Sequence, residues 1–505
     1  MAFEPIYDTA VFDTFRKLGT GQAVVEARLL PRPETRIAKV LSTSSSVGIS
    51  AAEAFSGEAR YSGRVNFKVL FETTEGTTEE LDYNADFSDK VEANGVGAST
   101  KTVFTANILD MDIIAAEEDV IKLAAVVEVT LYGCTREDIK YLARGGDGVY
   151  THEDRVGCSA LASETDETFI VSDTLEIGAD AEILGAESRV FTYKRSAEDD
   201  SVTLTGEAVV DLTLKSGDGA VSCKSVLIPV EQQCRADGAR EGDAVTGGLK
   251  IKDCAVTVSG EEGERVAELE LTLKAECMSF RSLEILPAVD VFCLENELLP
   301  TAMSVAVGCP KGDVTLESTI EGSVAIEDKL PLADTVLGTF GSRVNISTAT
   351  AESGRVRLEG MLGTNIVYIG SEKASTNTVY AQVPFSITLP ANVEEGDTIG
   401  AQAGVKDVSV KIRRGNELGI RADIVIALSV TAEQTQVVIT ELKLGEARAP
   451  RQAAISVHIA SSGETVWDAA KALGITPEEV MRQNPDVSMP CSGGERLRAF
   501  RRITR

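Results

Sequence analysis

Apolar residues recur at every second position in several stretches of this chain, with polar residues between them. The clearest is Glu268-Leu-Glu-Leu-Thr-Leu-Lys-Ala-Glu-Cys277, and Val127-Glu-Val-Thr-Leu131 and Ile424-Val-Ile-Ala-Leu428 are of the same type. Side chains alternate across a strand, so this pattern predicts sheets with one buried and one wet face, typical of antiparallel sandwiches.

The strands recur in register. Gly63-Arg-Val-Asn-Phe-Lys-Val-Leu-Phe71, Gly206-Glu-Ala-Val-Val-Asp-Leu-Thr-Leu214 and Gly360-Met-Leu-Gly-Thr-Asn-Ile-Val-Tyr368 each open on a glycine and continue as an alternating strand. A turn and a second strand follow, ending at Asp86-Phe87-Ser88, Ile228-Pro229-Val230 and Pro384-Phe385-Ser386. Asp112-Ile113, Asp253-Cys254 and Asp407-Val408 then open a second strand pair, 49, 47 and 47 residues after their glycines. Such agreement predicts three copies of one β module.

After residue 455 the pattern changes. A short strand at Val457-His-Ile459, a Gly463-Glu-Thr465 turn, two brief helices and a final strand at Glu495–Phe500 can be read in turn. Gly474 suits the left-handed end of the first helix. Thr476 is a good N-cap for the second, with Pro477 at its first position and Glu479 closing a capping box; Asn484-Pro485 stops it. This βααβ pattern resembles a LysM domain. The third β module, with Leu358–Ile369 and Val379–Ser386, is similar to the SPOCS-type domain of spore-coat assembly proteins. Several such modules followed by a C-terminal LysM is the layout of the SipL-type spore morphogenetic proteins, and the resemblance spans about residues 35–500.

The fold expected is mainly β: three tandem antiparallel sandwich-like modules and a small C-terminal βααβ domain. Module boundaries are read as 35–134, 165–288 and 289–441, with a polar linker at 135–164 and a second at 442–454 leading into residues 455–505. Residues 1–34 are read as a separate segment, in which Asp8 caps a short amphipathic helix carrying Val11, Phe12, Phe15 and Leu18 on one side.

The resemblance implies a binding module, not a catalyst. In LysM domains a groove forms between the loop after the first strand and the loop before the second. On this chain those are Ser461, Gly463, Glu464 and Thr465, and Asn484, Pro485 and Asp486. Val466 and Trp467 complete the candidate set. Trp467, the only tryptophan, is placed either to stack on a ligand or to cover the edge of the core. Thr465 serves either the groove or simply the N-cap of the first helix.

Composition narrows the function further. The 505 residues are 43% apolar and carry a formal net charge of −30. Residues 1–440 hold 39 Lys+Arg against 71 Asp+Glu, whereas residues 441–505 hold 10 against 8. An acidic body lacks the basic face that phosphate contacts need, which argues against a nucleic-acid partner. The basic tail (Arg496, Arg498, Arg501, Arg502, Arg505) fits an acidic protein, an anionic membrane surface or plain solubilisation. No segment has the roughly 20 apolar residues of a transmembrane helix, and the start of the chain lacks the pattern of a signal peptide, so a cytosolic protein is expected. Nine scattered cysteines with no Cys-x-x-Cys pair read as reduced, mostly buried thiols rather than a metal site.

Chemistry is sparse. Only His152 and His458 could serve a Ser-His or Cys-His pair, and no P-loop is present. Asp110, Asp112, Glu117 and Asp119 lie around a turn in one copy only, which reads as a solvated turn rather than a pair of catalytic acids. The expectation is a non-enzymatic scaffold or adaptor without cofactor or metal. For the SipL-type family the implied partner is the ATPase that forms the basement layer of the coat, in the mother-cell cytosol. The alternative is a cell-wall protein binding an N-acetylglucosamine polymer such as peptidoglycan or chitin. Open strand edges also make self-association an expectation.

Overall fold

A computed structural model describes residues 3–98, 100–260, 265–371, 375–413, 416–449 and 453–501. The described residues are overwhelmingly strand. The first module comprises β1 (Ile6–Leu29), β2 (Ile37–Phe55), β3 (Glu58–Thr73), β4 (Thr78–Glu92), β5 (Lys101–Glu117) and β6 (Val120–Arg144). A short β7 (Val149–Glu153) precedes the second: β8 (Val156–Glu176), β9 (Glu182–Glu198), β10 (Ser201–Lys215), β11 (Val221–Arg235), β12 (Ala244–Ser259) and β13 (Val266–Ile285). β14 (Ala288–Cys293) precedes the third: β15 (Asn296–Ala325), β16 (Ala333–Glu352), β17 (Arg355–Gly370), β18 (Thr376–Pro390), β19 (Thr398–Arg413) and β20 (Glu417–Ala447). The chain closes with β21 (Ile455–Ile459), α1 (Val466–Leu473), α2 (Pro477–Gln483) and β22 (Arg496–Phe500).

All three modules share one topology. Strands two, three and four form an antiparallel meander, and strand six lies between strands one and five: β2-β3-β4 with β1-β6-β5, β9-β10-β11 with β8-β13-β12, β16-β17-β18 with β15-β20-β19. The two sheets of each module bury their apolar positions in one shared core. In the second module these include Leu204, Val210 and Leu212 from one sheet and Leu269, Leu271 and Leu273 from the other. The alternation of Glu268–Cys277 is thereby explained, since its leucines face the core and its charged residues face water.

The repeat glycines have a steric cause. A Cβ on Gly63, Gly206 or Gly360 would strike the carbonyl oxygen of Gly48, Phe191 or Asn345 on the preceding strand. Each site adjoins a break in register between strands two and three: at Ile49/Ala51, Thr205/Gly206 and Ile346/Thr348. The bulge pushes that backbone inward and only glycine leaves room. Phe87 and Phe385 lie directly opposite Gly63 and Gly360 and cover them with their rings; in the second module Val230 takes that place.

Three expectations are corrected. Residues 6–29 form strand β1 and no helix. Val11 is exposed, while Phe12 and Phe15, three apart and so on opposite faces of the strand, are both buried: Phe12 packs with Tyr141, Val156 and Val305, and Phe15 with Cys134 and Phe280. The presumed linker 135–164 is strand for most of its length. Residues 135–144 continue β6 against the start of β1, and Val156 onward is β8 paired with β13. Its polar composition hid Ile139, Tyr141 and Leu142, which are buried. Residues 442–447 likewise belong to β20, where Leu444 faces Leu298 and Ala447 faces Asn296. Pro450, Arg451 and Gln452, and the tail residues Arg502 and Arg505, lie outside the described residues.

The aspartates near the fifth strands need a smaller correction. They lie within β5, β12 and β19, just past a bulge: at Ile251/Asp253, Val405/Asp407 and, in the first module, Ile108/Asp110. The match for Asp253 and Asp407 is thus Asp110, 47 residues after Gly63, and not Asp112.

The modules lock to one another. Asp13 on β1 is buried, and its carboxylate accepts from the Leu161 amide (2.8 Å) and from Arg136 Nε (3.2 Å). Ser159 Oγ donates to the Asp13 carbonyl (2.9 Å). Phe12, Tyr141, Val156, Cys158, Val305 and Val438, two from each module, form one further apolar cluster. Leu41, Leu70, Val221, Phe340 and Val367 do the same for the meander sheets.

Candidate functional site

The helices of the C-terminal unit are set by their ends. Thr465 caps α1, accepting from the Asp468 amide, while the Asp468 carboxylate accepts from the Thr465 amide (3.0 Å) and hydroxyl (2.7 Å). These bonds, with Lys471 and His152 nearby, hold the Asp468 carboxyl below its usual range. Gly474 ends α1 in the left-handed region, at φ 64°. Thr476 and Glu479 form the reciprocal capping box of α2, with Pro477 in its first turn. Ala469, Ala470, Leu473, Val480, Leu497 and Ala499 fill the small core between helices and strands.

The candidate residues divide into two groups. Ser461, Gly463 and Thr465 are exposed in the turn after β21, and Pro485 and Asp486 are exposed after α2. The other four are engaged. Glu464 reaches His458 Nε2 (2.5 Å) and accepts from the Ser461 amide (2.8 Å). Asn484 is buried; its Nδ2 donates to the carbonyls of Val480 (3.0 Å) and Arg498 (2.9 Å), and its Oδ1 accepts from the Arg498 amide (2.7 Å). Val466 is half-buried against the small core. Backbone bonds from Gly463 N to Cys491 O (2.8 Å) and from Cys491 N to Glu464 O (2.9 Å) lace the first loop to residues 491–494. The first loop is thus joined to that segment, while Asn484 is tied to β22.

Trp467 points at the chain's own body. Its Nε1 donates to Asp290 Oδ2 (2.7 Å), and Lys471 Nζ binds the same oxygen (2.6 Å). Its ring meets Phe292 edge-on at 4.8 Å and lies 5.3 Å from the His152 ring. Phe292 in turn stacks on Tyr150 at 5.0 Å. These partners stand on the two-stranded sheet of β7 and β14, a ledge between the modules. Burial alone would raise the Asp290 carboxyl; the Lys471 and Trp467 bonds outweigh it and leave it lowered.

Sequence reasoning placed His152 in a linker and did not single out Tyr150, Asp290 or Phe292. The alternation in Ala288-Val-Asp-Val-Phe-Cys293 signals a strand, but nothing in it announces a partner about 180 residues away.

A second candidate is a cavity of about 810 Å³ where the three modules meet, with Phe15, Tyr132, Arg195, Gly247, Asp313 and Gly404 in its wall. Arg195 Nε donates to the Gly247 carbonyl (2.6 Å) and Nη1 to Thr315 Oγ1 (3.1 Å). Asp313 Oδ2 accepts from the Gly247 amide (2.7 Å), while Oδ1 is buried with no hydrogen-bond partner among the described residues. Burial pushes the Asp313 carboxyl up and the Arg195 guanidinium down, partly offset by their mutual attraction.

All nine cysteines are free thiols. Burial pushes Cys134, Cys223 and Cys234 up to about 12, and Cys158 and Cys277 up to about 11. Among the described residues no cluster of His, Cys, Asp and Glu could hold a metal ion, and no helix is long and apolar enough to cross a membrane. Comparison with family models, curated proteins and solved structures finds no match to this chain.

Proposed function

We propose that this chain is a non-enzymatic scaffold and adaptor of endospore coat assembly. In this reading the three β modules are SPOCS-type sandwiches, and the C-terminal unit is a LysM domain turned to protein recognition. The chain works in the mother-cell cytosol at the forespore surface, docking on the ATPase of the coat basement layer. Three copies of one module followed by a βααβ unit support the reading, since that order is the SipL-type layout.

The observation that carries a protein partner over a glycan is the orientation of Trp467. Its Nε1 edge is held by Asp290 and its ring packs against Phe292 and His152, so the indole is turned to the chain's own body rather than offered to a sugar ring. The surface left for a partner is the exposed set Ser461, Gly463, Thr465, Pro485 and Asp486. We assign no catalytic residue: His152 lies against Trp467 and His458 is bonded to Glu464.

The test is microscopy of sporulating cells with the protein fused to a fluorophore. A shell closing around the forespore, and coat left unattached when the gene is deleted, is the expected result. Signal spread along the cell wall, with normal coats in the deletion strain, would overturn the proposal in favour of wall binding.

A further inference from the structure

Among the described residues, nothing covers the outer face of the C-terminal two-stranded sheet. β21 and β22 pair Ile455 with Phe500, Val457 with Arg498 and Ile459 with Arg496. Directly opposed residues share a face, so these six side chains form one surface. The intervening His458, Leu497 and Ala499 turn inward to the helices. Ile455, Val457, Ile459 and Phe500 are each between 52% and 66% exposed. Four large apolar side chains flanked by two arginines make a compact apolar and basic patch.

A complementary patch lies on the first module. β5 is the outer strand of its sheet, and a second bulge, at Ile113/Ala115, turns Ile113 and Ile114 outward, 45% and 56% exposed. Asp112, Glu117, Glu118 and Asp119 lie beside them, all exposed, with one exposed cation, Lys122, opposite Ala115, so the knob is acidic on balance. This knob lies just beyond the contact with the third module, where Asn345 Nδ2 donates to the Leu109 carbonyl and Arg343 pairs with Asp110. One patch is apolar beside two arginines and the other is apolar and acidic on balance, and both are exposed on the same chain.

We propose that these two surfaces join one copy of the chain to the next, the β21–β22 face of one seating on the β5–β6 knob of its neighbour. The contact is heterologous, so each copy keeps one free knob and one free face, and association runs on into open chains. Both patches are small, which places the contact in the weak class that forms only at high local concentration. Its charge component is exposed and weakens with salt. The inference is independent of the coat-assembly reading, because it rests only on the two surfaces.

Analytical ultracentrifugation of the full chain tests it. In low salt the weight-average sedimentation coefficient should climb steadily between about 1 and 100 µM, and fall back in 0.5 M salt. Val457→Asp and the double variant Ile113→Ser/Ile114→Ser should each shift that climb at least tenfold in concentration. Because all three positions are exposed, both proteins should keep the parent circular dichroism and melting. An equimolar mixture has one intact face and one intact knob on different molecules, and should form dimers that grow no further. Ile459→Asp offers a second face variant if Val457→Asp melts early. A wild-type chain that stays monomeric at 100 µM would overturn the proposal. So would association of the wild type without complementation in the mixture, which would mean a symmetric contact elsewhere.

Discussion

Replacing Asp290 with alanine should release the C-terminal unit from its ledge. The Asp290 carboxylate is the shared acceptor of Trp467 Nε1 at 2.7 Å and Lys471 Nζ at 2.6 Å. A hydrogen bond to a charged group contributes about 1.5–3 kcal/mol, whereas a half-exposed ion pair such as Lys471–Asp290 adds less than about 1 kcal/mol. The Trp467–Phe292 contact survives the substitution and retains about 0.5–1.5 kcal/mol. The expected loss is therefore about 2–3 kcal/mol, a shift of roughly 30- to 150-fold in the ratio of released to docked unit. Trp467 is the only tryptophan, so its fluorescence reports this contact without interference from the body. Asp290→Ala should move the emission to longer wavelength and raise acrylamide quenching several-fold. The main thermal transition, which belongs to the β modules, should stay in place. Unchanged emission and quenching would refute the argument that Asp290 holds the unit.

Other expectations are as direct. The Glu80 side chain is largely enclosed beside Lys68, Glu187 and Gly185, and that desolvation pushes its carboxyl up to about 7. The folded protein therefore holds that proton while the unfolded chain loses it. Stability from this group is full below about pH 4.5 and falls as pH rises toward 7, and Glu80→Gln should flatten that part of a melting-temperature profile. The buried thiols should resist alkylation at neutral pH and all nine should react once the chain is denatured. Above about pH 9 the unfolded chain ionises first, so stability should drop between there and about pH 12. Gly360→Ala drives a methyl group into the Asn345 carbonyl and the Phe385 ring, and should cost about 1–3 kcal/mol in denaturant unfolding. Asn484→Ala orphans the Arg498 amide and unties α2 from β22. It should lower the protection of that amide from hydrogen exchange, by about 1–3 kcal/mol in opening free energy, and leave the β modules unaffected.

How much was legible in the sequence depended on whether the cause was local. The caps at Thr476 and Gly474 are decided within a few residues, and the structure places them where the residues predict. The repeat glycines were visible as a period, although their reason, a carbonyl on the preceding strand, lies in the sheet pairing. The N-terminal segment misled because Val11, Phe12, Phe15 and Leu18 recur at helical spacing and as a strand divide between its two faces, and only pairing with β6, more than 100 residues on, decides. The presumed linker hid strands because Thr135–Arg144 is mostly polar, and its buried positions are spaced among charged ones. Among the candidate site residues, loop membership was readable from Gly463 and Asn484-Pro485. The fate of Trp467 was not, because Asp290 and Phe292 are brought to it only by the packing of β7 and β14 between modules. The central cavity belongs to the same class, since its wall comes from all three copies.

The coat-adaptor proposal is tested most directly by binding of the purified full chain, side by side, to the coat basement-layer ATPase and to insoluble peptidoglycan. The account predicts saturable binding to the ATPase, weakened at least tenfold by Asp486→Arg with Pro485→Ala on the exposed loop, and no retention on peptidoglycan. Retention on peptidoglycan with no binding to the ATPase would contradict it.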